Sequence, residues 1–149
     1  IGSETFVKQS ACNFVNFSII SLLETRYPSK KDPNKMKVMS SLLKSNCRVT
    51  SQPDWGDVFI SMEGSWLPDQ LELLKYIVSF RDECHFHEEI CETIFKRLLD
   101  KFEPRGLMVA CQYARRGGWD INPIRTTHEH YIDEYFWDET IPWIKTLRQ

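Results

Sequence analysis

The sequence predicts an α+β domain, an antiparallel sheet with two helices packed on one face. Three observations predict it. Alternating apolar stretches flank a central block whose apolar residues recur at helical spacing, proline and glycine mark each change of period, and 42% hydrophobic residues in 149 suffice for one buried core. A second full domain would not fit, since one core commonly serves about 100–200 residues.

Taken in order, residues 5–24 carry Phe14, Val15, Phe17, Ile19, Ile20, Leu22 and Leu23 with no single period, an ordered segment whose type stays open. Arg26 to Lys37 holds two prolines and five basic residues against one acid, which reads as an exposed connection. Val38 to Leu43 suits a buried strand. Asp57 to Glu63 alternates with Val58, Ile60 and Met62 on one face, and the two stretches are expected to pair as a long hairpin. Pro68 and Asp69 open a helix whose Leu71, Leu74, Ile77 and Val78 are expected to face inward. A second helix starts at about Glu88 and places Ile90, Ile94 and Leu98 at steps of four, beside Cys91, Phe95 and Leu99. Pro104 and Gly106 end it. Leu107, Val109, Cys111 and Tyr113 then alternate as a strand that runs into the Gly117-Gly118 turn. The order is strand, strand, helix, helix, strand, strand. The tail, with Tyr131, Tyr135, Phe136, Trp137 and Trp143 among acids, is too aromatic for a plain disordered end and is expected to dock. Three parts result: an N-terminal segment and linker (1–37), the main module (38–125) and an aromatic, acidic tail (126–149).

Nineteen Lys and Arg against 21 Asp and Glu give a net charge of −2, so no global electrostatic case exists for nucleic-acid binding and any anion site must be local. No apolar run approaches the ~18–20 residues of a membrane span, which sets a cytoplasmic expectation. Five cysteines without a CxxC pair are expected to stay reduced. The chain opens at Ile1 rather than Met, so something upstream is expected to have been processed, omitted or left unobserved.

Three constellations could carry chemistry. Cys47, in Ser45-Asn46-Cys47, precedes Asp54 by seven residues; a thiolate is a nucleophile, and a nearby acid can move a proton to or from the atom it attacks. A buried thiol at a strand end and a turn aspartate would look the same. His87 and Glu88 open the second helix, where either could be acid, base or hydrogen-bond partner, although Glu88 and Glu89 also complement the helix dipole. A zinc site from His85 or His87 with Cys47 and Cys111 matches no tight ligand spacing, so no metal is expected. Arg115-Arg116-Gly117-Gly118 delivers two guanidinium groups to a tight turn that suits a phosphate, or that is a solvated hairpin tip.

Read together, Leu42-Leu43-Lys44-Ser45-Asn46-Cys47, Gln52-Pro53-Asp54-Trp55-Gly56, Tyr76-Ile77-Val78-Ser79-Phe80-Arg81, Phe86-His87-Glu88 and Arg115-Arg116-Gly117-Gly118-Trp119-Asp120-Ile121-Asn122-Pro123 resemble the NADPH-dependent 7-cyano-7-deazaguanine reductases over residues 38–125. The resemblance implies a tunnelling fold whose modules assemble side by side into barrels, a homo-oligomer with active sites at subunit or module seams. It implies reduction of the nitrile of 7-cyano-7-deazaguanine to the aminomethyl group with two NADPH, on the route to the tRNA nucleoside queuosine. Cys47 would add to the nitrile as a thioimide, Asp54 would handle the nitrogen's protons, His87 would assist, and Glu88 with His87 would hold the deazaguanine. Arg115, Arg116, Gly117 and Gly118 fall where the family's basic turn meets the NADPH phosphates. One departure matters: single-module members carry a Glu-Ser-Lys-Ser-like cofactor motif where this chain has Ser65-Trp66-Leu67-Pro68-Asp69-Gln70-Leu71-Glu72-Leu73-Leu74. The C-terminal module of the two-module subfamily looks like this, its cofactor motif supplied by an N-terminal module that residues 1–37 do not resemble. Two other readings remain: an amidinotransferase-like enzyme of the same fold acting on a tRNA-borne deazaguanine without NADPH, and a non-catalytic binding or assembly module.

Overall fold

The structure, a computed structural model, describes residues 35–137. The expectations for residues 5–24 and for Trp143 lie outside them. The first two strands, β1 (Lys35–Asn46) and β2 (Pro53–Glu63), pair antiparallel from Lys35↔Glu63 to Asn46↔Pro53. The expected hairpin is therefore present and longer at both ends, β1 beginning within the expected linker. Its register shifts between Ser40 and Leu43, a bulge that turns Leu43 and Ser45 inward with Asp54 and Gly56. The third strand, β3 (Gly106–Tyr113), pairs with β2, and the short β4 (Ile124–Thr126) pairs with β3, giving a four-stranded antiparallel sheet in the order β1-β2-β3-β4.

Two helices connect β2 to β3 and cover one face. The first, α1 (Gln70–Val78), is capped by Asp69, whose carboxylate accepts from the amides of Leu71 and Glu72 at 3.1 and 3.2 Å. It buries Leu73, Tyr76 and Ile77 and passes into a 3₁₀ turn, Ser79–Asp82, that buries Phe80. Leu71 and Leu74, expected inward, instead stand 59% and 37% exposed. A nine-residue helix fits only one stripe against the sheet, and the aromatic pair Tyr76 and Phe80, with ring centroids 5.2 Å apart, claims it. The second, α2 (His87–Phe102), buries Ile90, Cys91, Ile94, Leu98 and Phe102, as its period requires. It stops at Glu103, in the left-handed region at φ 46°, just before Pro104. These side chains meet Leu43, Val58, Ile60, Met62, Leu107 and Val109 in the main core.

A third helix, α3 (His130–Trp137), lies on the opposite face. Helices therefore occupy both faces, two on one and one on the other. Tyr131 and Tyr135, four residues apart, cover Phe59, Met108 and Ala110, and Gln112 donates to the Tyr135 hydroxyl at 2.7 Å. Gly106 makes this docking possible, because a Cβ there would collide with the Tyr131 ring and hydroxyl. With both faces covered, every residue of β3 is buried. No helix among the described residues is long and apolar enough to cross a membrane.

Candidate active site

The turn that joins β1 to β2 carries Cys47. Its amide donates to the Gln52 carbonyl at 2.8 Å and its carbonyl accepts from Ser51 at 2.9 Å, so the loop is closed by its own backbone. Ser51, at φ 60°, absorbs the tight bend. The other wall is the segment before α2: Asn46 donates to the Glu83 carbonyl at 2.8 Å and accepts from the His85 amide at 3.1 Å. Cys47 is 9% exposed. The Thr50 hydroxyl and the Thr50 amide draw its pKa below the ordinary thiol value; burial opposes them, and the Val49 amide and the Arg116 charge add to the lowering.

Asp54 sits on β2 opposite Ser45 and is 4% exposed. Two groups converge on its Oδ1. Arg116 donates to it from Nε at 2.8 Å, with Nη2 at 2.7 Å, and His87 Nε2 lies 3.0 Å away, a contact distance without the alignment of a hydrogen bond. The histidine is positioned by packing. Its ring stacks on Tyr113, centroids 4.1 Å apart and planes 9° from parallel, and Tyr113 lies against β2 because Gly56 has no side chain: a Cβ there would meet the Tyr113 ring at 3.0 Å. Burial holds the Tyr113 phenol well above its usual pKa, with Asp54 and Glu88 among the charges adding to the rise. Glycine, tyrosine, histidine and aspartate thus form one packed relay across β2, β3 and α2.

The remaining candidates are placed differently. Glu88 is exposed on the first turn of α2, and no hydrogen bond or ion pair ties its carboxylate among the described residues. The capping role falls to Glu89, which accepts from the Phe86 amide at 2.9 Å and pairs with Arg48 at 3.0 Å. Arg115 pairs with Asp120 at 2.8 Å, its side chain 39% exposed. Gly117 and Gly118 take positive φ, 55° and 80°, and nothing lies within 4 Å of where a Cβ would stand on either. That open backbone with Arg115 beside it fits a phosphate. No cluster of three or more metal-ligating side chains occurs among the described residues. A groove of about 210 Å³ between β1, β2 and α1, lined by Val38, Ser40, Val58, Ile60 and Leu73, includes none of these residues.

The structure therefore brings together Cys47, Asp54, His87 and Arg116, and leaves Glu88, Arg115, Gly117 and Gly118 around them at the surface. Sequence reasoning missed Thr50, Gln52, Gly56 and Tyr113 as parts of the centre. Two signals were available: Gln52 and Gly56 lie within the quoted Gln52–Gly56 motif, and a glycine beside a strand pattern marks a close backbone approach.

Comparison with known proteins bears on the same residues. "NADPH-dependent 7-cyano-7-deazaguanine reductase" of Paracidovorax citrulli is 54% identical over 89 residues, 60% of this chain and 31% of its own length. The protein of that name from Desulfotalea psychrophila is 47% identical over 98 residues, 65% of this chain and 35% of its own. The chain spans about a third of the length of these curated relatives. Among solved structures, an archaeosine synthase QueF-Like in the apo form superposes with a TM-score of 0.59 at 16% identity, covering 64% of this chain and 95% of that one, a likeness of fold that confirms the α+β tunnelling architecture. Residues 53–131, just over half of the chain and the stretch holding Asp54, His87 and Arg116, match the family described as QueF-like protein, and the chain belongs to that family.

Proposed function

We propose that this chain is the nucleophile-bearing module of an NADPH-dependent reductase that converts the nitrile of 7-cyano-7-deazaguanine to an aminomethyl group. The observation that carries the reading is the convergence of a thiol of lowered pKa with a buried carboxylate held between Arg116 and His87. The Cys47 thiolate adds to the nitrile carbon. A C–S bond forms, one C–N π bond opens, and the nitrogen takes a proton from the Asp54–His87 pair, giving a thioimide. Glu88, exposed at the mouth, is suited to accept hydrogen bonds from the base edge. NADPH, when bound, supplies hydride; Arg115 and the open backbone of Gly117 and Gly118 would hold its phosphates. Two hydrides are needed in all: after the first the C–S bond breaks and Cys47 leaves as thiolate, and His87 and Asp54 serve the nitrogen again as the resulting imine becomes an amine.

The exposure of Glu88 and of the Gly117-Gly118 turn supports a site completed by a second module or subunit of a homo-oligomer. One observation favours a second reading, addition of ammonia or an amide-derived nitrogen to the nitrile of a tRNA-borne deazaguanine to give an amidine, without NADPH: both arginines of the turn are already paired, Arg115 with Asp120 and Arg116 with Asp54.

Intact-protein mass spectrometry after incubation with 7-cyano-7-deazaguanine tests the proposal. An adduct one substrate mass heavier should form without NADPH and disappear in Cys47→Ala. An unmodified Cys47, or an adduct that survives Cys47→Ala, rejects it. Oxidation of NADPH with the free base, measured with a completing module present, separates reduction from amidine formation.

A further inference from the structure

Arg116 reaches the centre from the segment that follows β3, the strand beside β2. The chain turns back after β3, where Ala114 donates to the Trp55 carbonyl at 2.8 Å, and Arg116 forms an isolated bridge with Trp119 whose two backbone hydrogen bonds are 3.1 and 2.9 Å. The backbone at Arg116 is thereby fixed at the mouth of the site. From there the guanidinium makes two kinds of contact. Nε and Nη2 grip Asp54 Oδ1 at 2.8 and 2.7 Å. Nη1 makes longer hydrogen bonds to Thr50 Oγ1 and Gln52 Oε1, both 3.4 Å, and Nη2 reaches the Gln52 carbonyl at 3.5 Å. Thr50 is the residue whose hydroxyl stabilises the Cys47 thiolate, and the Gln52 carbonyl is the one that receives the Cys47 amide. One guanidinium thus ties the acid of the centre to both fasteners of the nucleophile turn.

We propose that Arg116 is a positioning residue of the nucleophile centre, clamping Asp54 to the turn that carries Cys47, so that phosphate recognition at this hairpin falls to Arg115 and the glycine backbone alone. A planar fork with donors on several edges can hold a carboxylate and a turn together, which a lysine ammonium cannot do with the same rigidity. The other ionisable groups facing the cluster are His87 and Glu88 from α2 and Tyr113 from β3. The inference rests on the reading of Cys47 as nucleophile; the alkylation arm of its test needs neither substrate nor cofactor, and the adduct arm needs the nitrile base alone.

The experiment is the pH dependence of Cys47 alkylation by iodoacetamide on the full chain, read by peptide mass so that Cys84 is scored separately. Arg116→Gln, Arg116→Lys and Arg115→Gln are compared with the unaltered protein. Loss of the charge and of the Thr50 contact should move the profile of Arg116→Gln upward by about half a pH unit or more, roughly a threefold loss of thiolate at pH 7. Arg116→Lys, which keeps the charge and loses the fork, should shift it less while still slowing adduct formation with 7-cyano-7-deazaguanine. Arg115→Gln should leave the profile in place. Should Arg116→Gln fail to fold, the Lys variant decides by its adduct rate against that of Arg115→Gln. An unshifted profile in folded Arg116→Gln, equal shifts in the Arg115 and Arg116 variants, or an unaltered adduct rate in Arg116→Lys overturns the clamp. A protein that shows the shift but forms no adduct rejects the proposed reductase and leaves the clamp standing, whereas an adduct with an unshifted profile does the reverse.

Discussion

The site has an inner and an outer half, and they are built by different means. Asp54 and His87 are each 4% exposed and Cys47 is 9% exposed; each is fixed by groups this chain supplies, from β3 and the segment after it and from the turn between β1 and β2. Around them Glu88, Gly117 and Gly118 are exposed, Phe86 is 42% exposed and Trp119 76%. A group locked by the core can be preorganised for bond-making, since no other molecule is needed to set its geometry. An exposed group becomes selective only when something lies against it. Under the proposed function, the chain encodes its bond-making chemistry in its own core and leaves recognition to a completing module or subunit.

The largest effect should come from the inner half. Replacing Asp54 by Asn keeps the shape and removes the group proposed to move the proton, and loss of one positioned acid or base typically costs ~10²–10⁴ in rate. Adduct formation with 7-cyano-7-deazaguanine should fall by that factor. Stability should fall only by about 1–3 kcal/mol, the range for weakening a charged hydrogen bond. Unaltered adduct formation in a folded Asp54→Asn would place the chemistry elsewhere, and a chain that no longer folds would make the carboxylate a structural one.

The inner half was also the less legible part. Cys47, Asp54 and His87 could be picked out by their motifs, but the pairing of Arg116 with Asp54 joins residues 62 apart, and only the strand order β1-β2-β3 brings them together. Elsewhere legibility followed length. Helix α2, at sixteen residues, has room for its step-of-four pattern to decide its face, and Ile90, Ile94 and Leu98 are all fully buried. Helix α1 is nine residues long, and two leucines misled because the aromatic pair Tyr76 and Phe80 occupies the space beneath it. The tail was expected to dock, yet where it docks depends on Gly106, whose missing side chain admits Tyr131 from 25 positions downstream. Local periodicity carries no information about such a contact.

At the rim the expected effects shrink and change in kind. Glu88→Gln removes a charge that no partner in the described chain engages, so melting should move by less than about 0.5 kcal/mol. If the carboxylate grips the base, the substrate concentration for half-maximal adduct rate should rise about 10- to 100-fold, the equivalent of one charge-assisted hydrogen bond, with the saturated rate little altered. An unchanged concentration dependence would make Glu88 a solvated residue of the first helical turn. A lowered saturated rate would move it into the inner half.

The smallest effect, and the sharpest check on where the boundary runs, belongs to Arg115. It adjoins Arg116 in sequence, yet its guanidinium turns to Asp120 at 2.8 Å with 39% of the side chain exposed, while its neighbour reaches into the centre. A pair that open to water contributes about 0–1 kcal/mol, because solvent screens it and two long side chains must be held still. Arg115→Ala should therefore leave melting almost where it was and leave the rate of adduct formation unaltered. Its one consequence should be weaker retention of a phosphate-bearing ligand, measurable by titrating NADPH into the assembled protein. If Arg115→Ala slows the adduct as Asp54→Asn does, the boundary between halves does not fall between these two arginines, and the hairpin acts on the nucleophile as a unit. If NADPH affinity is also unaltered, the turn is a solvated hairpin tip, and the phosphates are held by residues of another module.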